Sequence, residues 1–157
     1  MLKYVILGII QGLTEFFPVS SSGHLVIMQK LLGISGQEIA LAVVLHLGTA
    51  CALILFFFKD ILEVFKNIKL LFLILIVTII TGIIGVLGKD FFESLFSSPK
   101  LVALALIVTG VILLLTQKIR EPKRDTVDFK DALFLGIMQA IAIIPGISRS
   151  GITISTL

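Results

Sequence analysis

A short polar stretch near the start of the chain contains residue types that could do chemistry. Residues 11–24 read Gln-Gly-Leu-Thr-Glu-Phe-Phe-Pro-Val-Ser-Ser-Ser-Gly-His. Serine hydroxyls, a histidine and a carboxylate can together supply a nucleophile and its base. The surrounding sequence is strongly apolar, and a titratable side chain at membrane depth is costly enough to indicate a functional site by default.

The serines and the glycine of this stretch predict an anion site. Ser20, Ser21, Ser22 and Gly23 follow Pro18, at a place where a helix would begin. The unpaired backbone N–H groups and the positive dipole end of a helix N-terminus bind phosphate well, and hydroxyl groups add further donors. An ordinary helix cap is the alternative, and it accounts for one serine but not for three in a row.

A second, similar stretch lies 128 residues further along the chain. Leu7-Gly-Ile-Ile-Gln11 matches Leu135-Gly-Ile-Met-Gln139, and Ser20-Ser-Ser-Gly23 matches Ser148-Arg-Ser-Gly151. Two interrupted apolar segments at corresponding positions of a repeat point to a binding site in membrane proteins. We therefore expect the serines of both copies, including Ser150, to contribute to one site.

Charged and amide side chains complete the predicted site. Arg149 could bind phosphate oxygens through two parallel hydrogen bonds, and the alternative is an interfacial residue that reaches toward water. Glu15 could hold a divalent metal or orient a base, and the alternative is an ion pair with Arg149. Gln11, one helical turn before Glu15, could contribute its carbonyl oxygen.

The two histidines have different neighbours. His24 is close in sequence to Ser20 and Ser21, so that imidazole and hydroxyl can meet, and we expect it to act as acid, base or nucleophile. His46 stands in a long apolar segment, with Thr49 about one turn later. A helix–helix hydrogen bond is its expected role.

The composition is that of an integral membrane protein. Of the 157 residues, 57% are hydrophobic and 15% are charged, whereas soluble domains have about 25% charged residues. The single cysteine, Cys51, excludes an intrachain disulfide and a cysteine-based zinc cluster in this sequence. The net charge of +3 is expected to report orientation in the membrane and not the binding of nucleic acid.

Hydrophobic segments predict both crossing helices and helical hairpins. The segments that are long enough to cross a bilayer are residues 39–58, 70–88 and 101–117. Residues 1–38 contain two half-length apolar runs, which predicts a re-entrant hairpin; a single kinked helix from Tyr4 to Ser22 is the alternative. Residues 132–157 are predicted to start a second hairpin. The expected fold class is an all-α polytopic membrane protein, an inverted repeat of re-entrant helical hairpins plus transmembrane helices.

The number of crossings sets how the two hairpins face each other. Three crossings separate them, so that they open to opposite faces and their polar tips can meet near the midplane. Eight lysines and arginines lie in the connections 59–69 and 117–131, which share one face, and four further lysines lie on the other face. Because cytoplasmic loops are rich in Lys and Arg, the face with eight is expected to be cytoplasmic.

The two polar stretches closely resemble the signature motifs of the undecaprenyl-diphosphate phosphatase family of the bacitracin-resistance type. Residues 11–24 are similar to its Glu/Gln-x-x-x-Glu element with a Ser-Ser-x-Gly-His continuation, and residues 145–153 to its Pro-Gly-x-Ser-Arg-Ser element. The resemblance implies a multi-pass enzyme of the bacterial inner membrane that hydrolyses undecaprenyl diphosphate to undecaprenyl phosphate and phosphate. Such an enzyme recycles the lipid carrier of cell-wall synthesis and confers bacitracin resistance.

The resemblance also implies roles for individual residues. Glu15 and Gln11 would be the acidic or metal-associated pair. Ser21 and His24 would be the candidates for the nucleophile or the base. The residues that would bind the diphosphate are Ser148, Arg149 and Thr153. The expected mechanism is a serine nucleophile assisted by His24, with Arg149 and Mg²⁺ or Ca²⁺ stabilising the departing phosphate, although an attack by His24 itself stays open. The expected partners are a polyprenyl diphosphate lipid and the bilayer, and a homodimer is left open.

The chain stops early compared with that family. It covers the first repeat and the beginning of the second, so that we expect the C-terminal spans to be missing and the second hairpin to have no returning arm. Two other interpretations stay open. One is a polyprenyl-phosphate or anion carrier, because inverted repeats with broken helices are typical of transporters, and the other is an inactive fragment.

Overall fold

The computed structural model describes residues 1–34, 36, 38–117 and 127–156, and the regular elements in this part of the chain are all helices. They are α1 (Leu2–Phe16), α2 (Ser21–Leu31), α3 (Glu38–Phe56), α4 (Phe58–Lys66), α5 (Ile68–Leu87), α6 (Lys89–Phe96), α7 (Pro99–Thr116), α8 (Phe129–Ile141) and α9 (Arg149–Thr156). The predicted all-α class is confirmed. Residues 118–126, which hold four of the cations used to predict orientation, and Leu157, the end of the predicted second hairpin, lie outside the described residues.

Helices α1 and α2 form a hairpin at the start of the chain. α1 ends where Phe17 adopts the extended backbone that is favoured before a proline. The Lys3 ammonium, at the start of α1, donates a hydrogen bond to the backbone carbonyl of Leu32, just after α2. The two helices therefore run side by side in opposite directions and do not form one kinked helix. With 15 residues, α1 is about 22 Å long, shorter than a hydrocarbon core of about 30 Å.

Within the described residues, three helices are long enough and apolar enough to cross a membrane: Ile39–Phe56 in α3, Ile68–Leu87 (α5) and Pro99–Thr116 (α7). Only 6% to 11% of each span is buried inside the protein. An apolar surface of this extent would be unfavourable in water, and lipid is the solvent that suits it. The chain is therefore a membrane protein, as its composition predicted.

The connections between these spans are largely helical. In α4, Phe58, Leu62 and Phe65 recur at the spacing of one helix face, with charged residues between them. A short amphipathic helix of this kind can lie in the membrane interface with its apolar side toward lipid. Helix α6 occupies the next connection and brings Phe96 to the cavity described below.

Helices α8 and α9 form the second hairpin. Asp128 caps α8 through a reciprocal capping box. Gln139 in α8 donates hydrogen bonds to Thr153 Oγ1 (2.7 Å) and to the backbone carbonyl of Arg149 (3.1 Å), so that α9 is fastened to α8. The expectation that this hairpin has no returning arm is corrected, because the eight residues of α9 form about two turns of that arm.

The tips of the two hairpins touch. We call residues 17–20 the first elbow and residues 142–148 the second elbow. The backbone N–H of Gly146 donates a hydrogen bond to Ser20 Oγ across the repeat (3.1 Å). A Cβ atom built on Gly23 would lie 2.8 Å from Gly146 Cα, and Gly146 has a φ of 104°, which other residues rarely adopt. The second elbow and the first turn of α2, directly after the first elbow, can approach this closely because neither glycine has a side chain.

Helix α7 supports the second elbow from behind. The buried Thr109 hydroxyl donates a hydrogen bond to the Gly146 carbonyl (2.7 Å) and accepts one from the Ser148 N–H (3.1 Å). Two buried backbone groups, which would be costly to leave unpaired, are satisfied in this way. Sequence analysis did not find this positioning role, because a single threonine in an apolar span has no distinctive pattern.

We expect the Gly23→Ala substitution to force the elbows apart. The new methyl group would lie against backbone atoms of Gly146, which cannot move aside as a flexible side chain could. Overpacking of this kind costs about 1–3 kcal/mol, so that the melting temperature in detergent should fall and phosphate release should weaken with it. Gly12→Ala on the same hairpin is the matched control, because its Cβ would meet nothing within 4 Å. Equal melting temperatures for the two variants would contradict a tight elbow contact.

Candidate active site

Both elbows line a single cavity with a volume of about 440 Å³. The predicted site residues that line it are Glu15, Ser20, Ser21, Ser22, Ser148, Arg149 and Ser150. Apolar side chains, among them Phe17, Val43 and Phe96, form much of the remaining wall. The cavity therefore joins a polar end, built from the two repeats, to an apolar wall of the kind that ligand sites usually have.

Helices α2 and α9 both begin at this cavity. Ser20 Oγ accepts a hydrogen bond from the Gly23 N–H (3.4 Å), and Ser148 Oγ accepts the equivalent bond from the Gly151 N–H (3.0 Å). Each serine is thus an N-terminal cap. The first N–H groups of each helix have no intrahelical partner, and the positive ends of the two helix dipoles add to each other at the cavity. This arrangement suits an anion.

The serine hydroxyls repeat in the same pattern on both sides. Ser20 Oγ lies 3.3 Å from Ser22 Oγ, and Ser148 Oγ lies 3.1 Å from Ser150 Oγ. In each pair the capping serine is buried, whereas the second serine is only partly buried. The repeat that was found in the sequence is therefore also a repeat of hydrogen bonds.

The carboxylate of Glu15 contacts the Ser21 hydroxyl. Ser21 Oγ donates a hydrogen bond to Glu15 Oε2. The same carboxylate oxygen accepts a hydrogen bond from Gln11 Nε2 (2.8 Å), and that amide nitrogen also lies 3.2 Å from Thr49 Oγ1. The buried Gln11 therefore fixes the direction of Glu15 from behind the cavity. A serine hydroxyl in contact with a base is the arrangement of an activated nucleophile.

His46 is part of this cluster, although sequence analysis predicted only a helix–helix hydrogen bond for it. Its Nε2 atom lies 3.4 Å from Ser21 Oγ and 3.5 Å from Glu15 Oε2. The residue lines the cavity from α3. The signal that could have found it is its occurrence as an ionisable residue inside a crossing helix, where such residues are costly.

The remaining predicted residues lie behind the cavity wall. The Nδ1 atom of the His24 ring is 2.8 Å from the Ser20 carbonyl, and His24 is absent from the lining. Its catalytic role stays a prediction, without a contact to a serine hydroxyl in the described residues. Thr153 is hydrogen-bonded to Gln139, and Gly23 packs against Gly146, so that their roles as diphosphate ligands also stay predictions.

Arg149 lines the cavity as the first residue of α9 and is exposed. The alternative role considered for it, an ion pair with Glu15, does not occur among the described residues, where the basic side chain within 4 Å of the Glu15 carboxylate is that of His46. In that same part of the chain no hydrogen bond from the guanidinium group to protein is found. Its five N–H donors are therefore available to a ligand in the cavity.

The described residues contain two oxygen donors for the predicted divalent metal, Glu15 and Gln11. Gln11 Oε1 is buried and has no hydrogen-bond partner in the structure. No group of three or more His, Cys, Asp or Glu side chains comes together within the described ranges. A metal site made from the protein alone is therefore not indicated, whereas Mg²⁺ is commonly held by one or two carboxylates together with substrate phosphates. The donor set fits that second arrangement.

Comparison with known proteins decides the family. Residues 4–157 match the family model described as Bacitracin resistance protein BacA. The chain belongs to this family. The two motifs that suggested it in the sequence are the ones that the fold brings together at the cavity.

Several curated proteins that are similar to this chain carry the name undecaprenyl-diphosphatase. The protein of Halothermothrix orenii is 49% identical over 97% of this chain and 61% of its own length. The protein of Carboxydothermus hydrogenoformans is 43% identical over 96% of this chain and 59% of its own length. The protein of Bacteroides thetaiotaomicron is 40% identical over 99% of this chain and 63% of its own length. The chain thus spans about three fifths of the length of the relatives that it matches.

Proposed function

We propose that the full-length protein hydrolyses the terminal phosphate of undecaprenyl diphosphate in the bacterial inner membrane. The observation that carries this proposal is the Ser21–Glu15 hydrogen bond at a cavity where two helix N-termini meet. The names of its relatives support the same substrate. The products, undecaprenyl phosphate and inorganic phosphate, would return the lipid carrier to cell-wall synthesis, and consumption of the diphosphate would confer resistance to bacitracin.

The chemical step can be assigned to two side chains. Ser21 Oγ attacks the terminal phosphorus, and its proton passes to Glu15. The bond between that phosphorus and the bridging oxygen breaks, so that undecaprenyl phosphate leaves and a phosphoserine remains. Glu15 gives its proton to the departing undecaprenyl phosphate and can then accept a proton from the water that hydrolyses the phosphoserine. That proton returns to Ser21 Oγ as the bond from phosphorus to the serine oxygen breaks and phosphate is released. Covalent catalysis of this kind divides one difficult displacement into two easier ones.

The other groups in the cavity would stabilise the charge of the reacting phosphates. The Arg149 guanidinium offers paired N–H donors that match two phosphate oxygens. The N-terminal N–H groups of α2 and α9 and the partly exposed hydroxyls of Ser22 and Ser150 offer fixed donors around them. Preorganised donors aimed at developing charge are commonly the largest single contribution to catalysis.

The apolar wall suits the lipid part of this substrate. Phe17, Val43 and Phe96 line the same cavity as the polar groups, so that the first isoprene units could pack against them while the diphosphate reaches Ser21. This wall also argues against a small soluble phosphate ester as the substrate, because such a ligand would leave the apolar surface exposed to water.

A divalent cation, Mg²⁺ or Ca²⁺, is part of the proposal. Glu15 and the carbonyl oxygen of Gln11 would hold it together with the diphosphate, and it would supply positive charge to the phosphate oxygens. The amide nitrogen of Gln11 faces Glu15 in the structure. To bind the cation, the amide would turn by 180° and exchange its hydrogen bonds to Glu15 and Thr49 for a contact between the cation and its oxygen, which is buried and without a partner.

We expect the purified full-length protein to release one phosphate per undecaprenyl diphosphate in detergent. Glu15→Gln should lower kcat by about 10²–10³-fold, because removal of a general base costs roughly this much. The matched control is Glu93→Gln, whose carboxylate pairs with the exposed Lys89 on α6. A chelator should stop the reaction, and Mg²⁺ or Ca²⁺ should restore it. Lipid binding without phosphate release would contradict the proposal and leave a carrier as the better interpretation.

A further inference from the structure

The orientation of the His46 ring is fixed by the main chain of its own helix. Its Nδ1 atom lies 2.8 Å from the carbonyl oxygen of Ala42, one turn earlier in α3. Because a carbonyl oxygen can only accept a hydrogen bond, Nδ1 must carry a hydrogen. The other ring nitrogen, Nε2, is then the atom that faces the cavity.

The position of Nε2 relates His46 to both members of the proposed nucleophile pair. It lies 3.4 Å from Ser21 Oγ and 3.5 Å from Glu15 Oε2. These separations are at the long end for hydrogen bonds, and catalytic contacts are often long until the substrate is bound. With the hydrogen on Nδ1, the neutral ring presents a lone pair at Nε2, so that the Ser21 hydrogen that is donated to Glu15 Oε2 can be shared with this nitrogen.

We propose that His46 is the histidine that positions Ser21 and Glu15 for attack on phosphorus, an inference that rests on the proposed function. Glu15 belongs to α1, Ser21 to α2 and His46 to α3, so that three helices converge on one oxygen atom. With Glu15 alone as partner, the serine side chain can still rotate away from the ligand. A second contact, from a different helix, restricts Ser21 Oγ to the orientation in which it faces the cavity, and a reacting group held in this way gains rate without a change in substrate affinity.

The chain offers a sharp pair of substitutions at this position. The amide end of a glutamine reaches approximately the place of the histidine Nε2 atom, whereas the shorter asparagine reaches only the place of Nδ1. His46→Gln therefore keeps a polar group beside Ser21, and His46→Asn keeps only the contact with Ala42. The two variants differ by a single methylene group, so that their effects on folding should be similar.

We expect His46→Asn and His46→Leu to lower kcat about 10²-fold, with KM changed by less than about threefold, because a displaced nucleophile costs roughly this factor. His46→Gln should recover kcat to within about tenfold of the unchanged protein. The measurements are steady-state phosphate release from undecaprenyl diphosphate by the full-length protein in detergent, and the melting temperature of each variant.

Different outcomes would overturn the inference in distinguishable ways. One such outcome is that the unchanged protein and His46→Leu release phosphate at the same kcat. Another is that His46→Gln and His46→Asn are equally impaired. In either case His46 does not position Ser21 and Glu15, and the proposed function stands. If the unchanged protein binds the lipid without releasing phosphate, the proposed function fails, and the inference fails with it.

Discussion

Replacement of Ser21 by alanine is expected to reduce kcat by at least about 10⁴-fold, with binding of the lipid retained. Removal of the attacking atom leaves only the fixed donors and the bound substrate, and in serine hydrolases the loss of the nucleophile alone removes most of the catalysis. The hydrogen bond from Ser21 to Glu15 is the feature that assigns the attack to this serine. The neighbouring hydroxyls of Ser20 and Ser22 contact each other instead.

Rapid quenching of the reaction with undecaprenyl diphosphate, radiolabelled in its terminal phosphate, would identify the attacking residue directly. We expect labelled phosphate on Ser21 in the unchanged protein and none in Ser21→Ala. Ser94→Ala is the matched control, because this serine bonds to its own helix α6 and lies on the exposed surface. A label on His24, the alternative nucleophile, would show that the assignment to Ser21 is wrong.

Arg149→Ala is expected to lower kcat/KM by about 10³-fold while the protein remains folded. A factor of 10³ corresponds to about 4 kcal/mol of transition-state stabilisation, which is reasonable for the loss of a bidentate, charged contact with phosphate. The fold should persist because the exposed guanidinium group contributes no hydrogen bond or ion pair among the described residues. The second elbow is held instead by Thr109, and α9 by Gln139.

The control variants for this prediction separate charge from geometry. Arg149→Lys keeps the charge but loses the paired donors, and we expect it to fall between the alanine variant and the unchanged protein. Lys100→Ala removes an exposed cation near the start of α7, away from the cavity lining, and should have little effect. A fall in melting temperature as large as the one for Gly23→Ala would indicate that Arg149 supports the fold and not the substrate.

Much of the architecture could be predicted because it depends on strong local patterns. Apolar segments of about 20 residues define the crossing helices, and the polar residues after Pro18 mark the turn between α1 and α2. The internal repeat predicted that Ser20 and the second hairpin would meet, and the Gly146–Ser20 hydrogen bond now joins them. These features are properties of short segments or of their repetition, and both can be found in a single sequence.

The partners of the histidines could not be predicted in the same way. His24 was favoured because it is near the serines in sequence, but its ring turns back to the main chain of its own helix. His46 reaches Ser21 from 25 residues away, and this contact depends on how α3 packs against the hairpin. The packing of separate helices is a long-range property, and no local pattern encodes it.

The hydrogen bonds of Ser20 have a consequence for which molecules the cavity can accept. Ser20 Oγ accepts hydrogen bonds from the N–H groups of both Gly23 and Gly146, so that its own hydrogen is directed to Ser22 Oγ. The hydrogen of Ser22 is then left to point toward the cavity. A wall that presents hydrogens in this sense favours an ionised phosphate group, because each of its outward oxygens has lone pairs that can accept them.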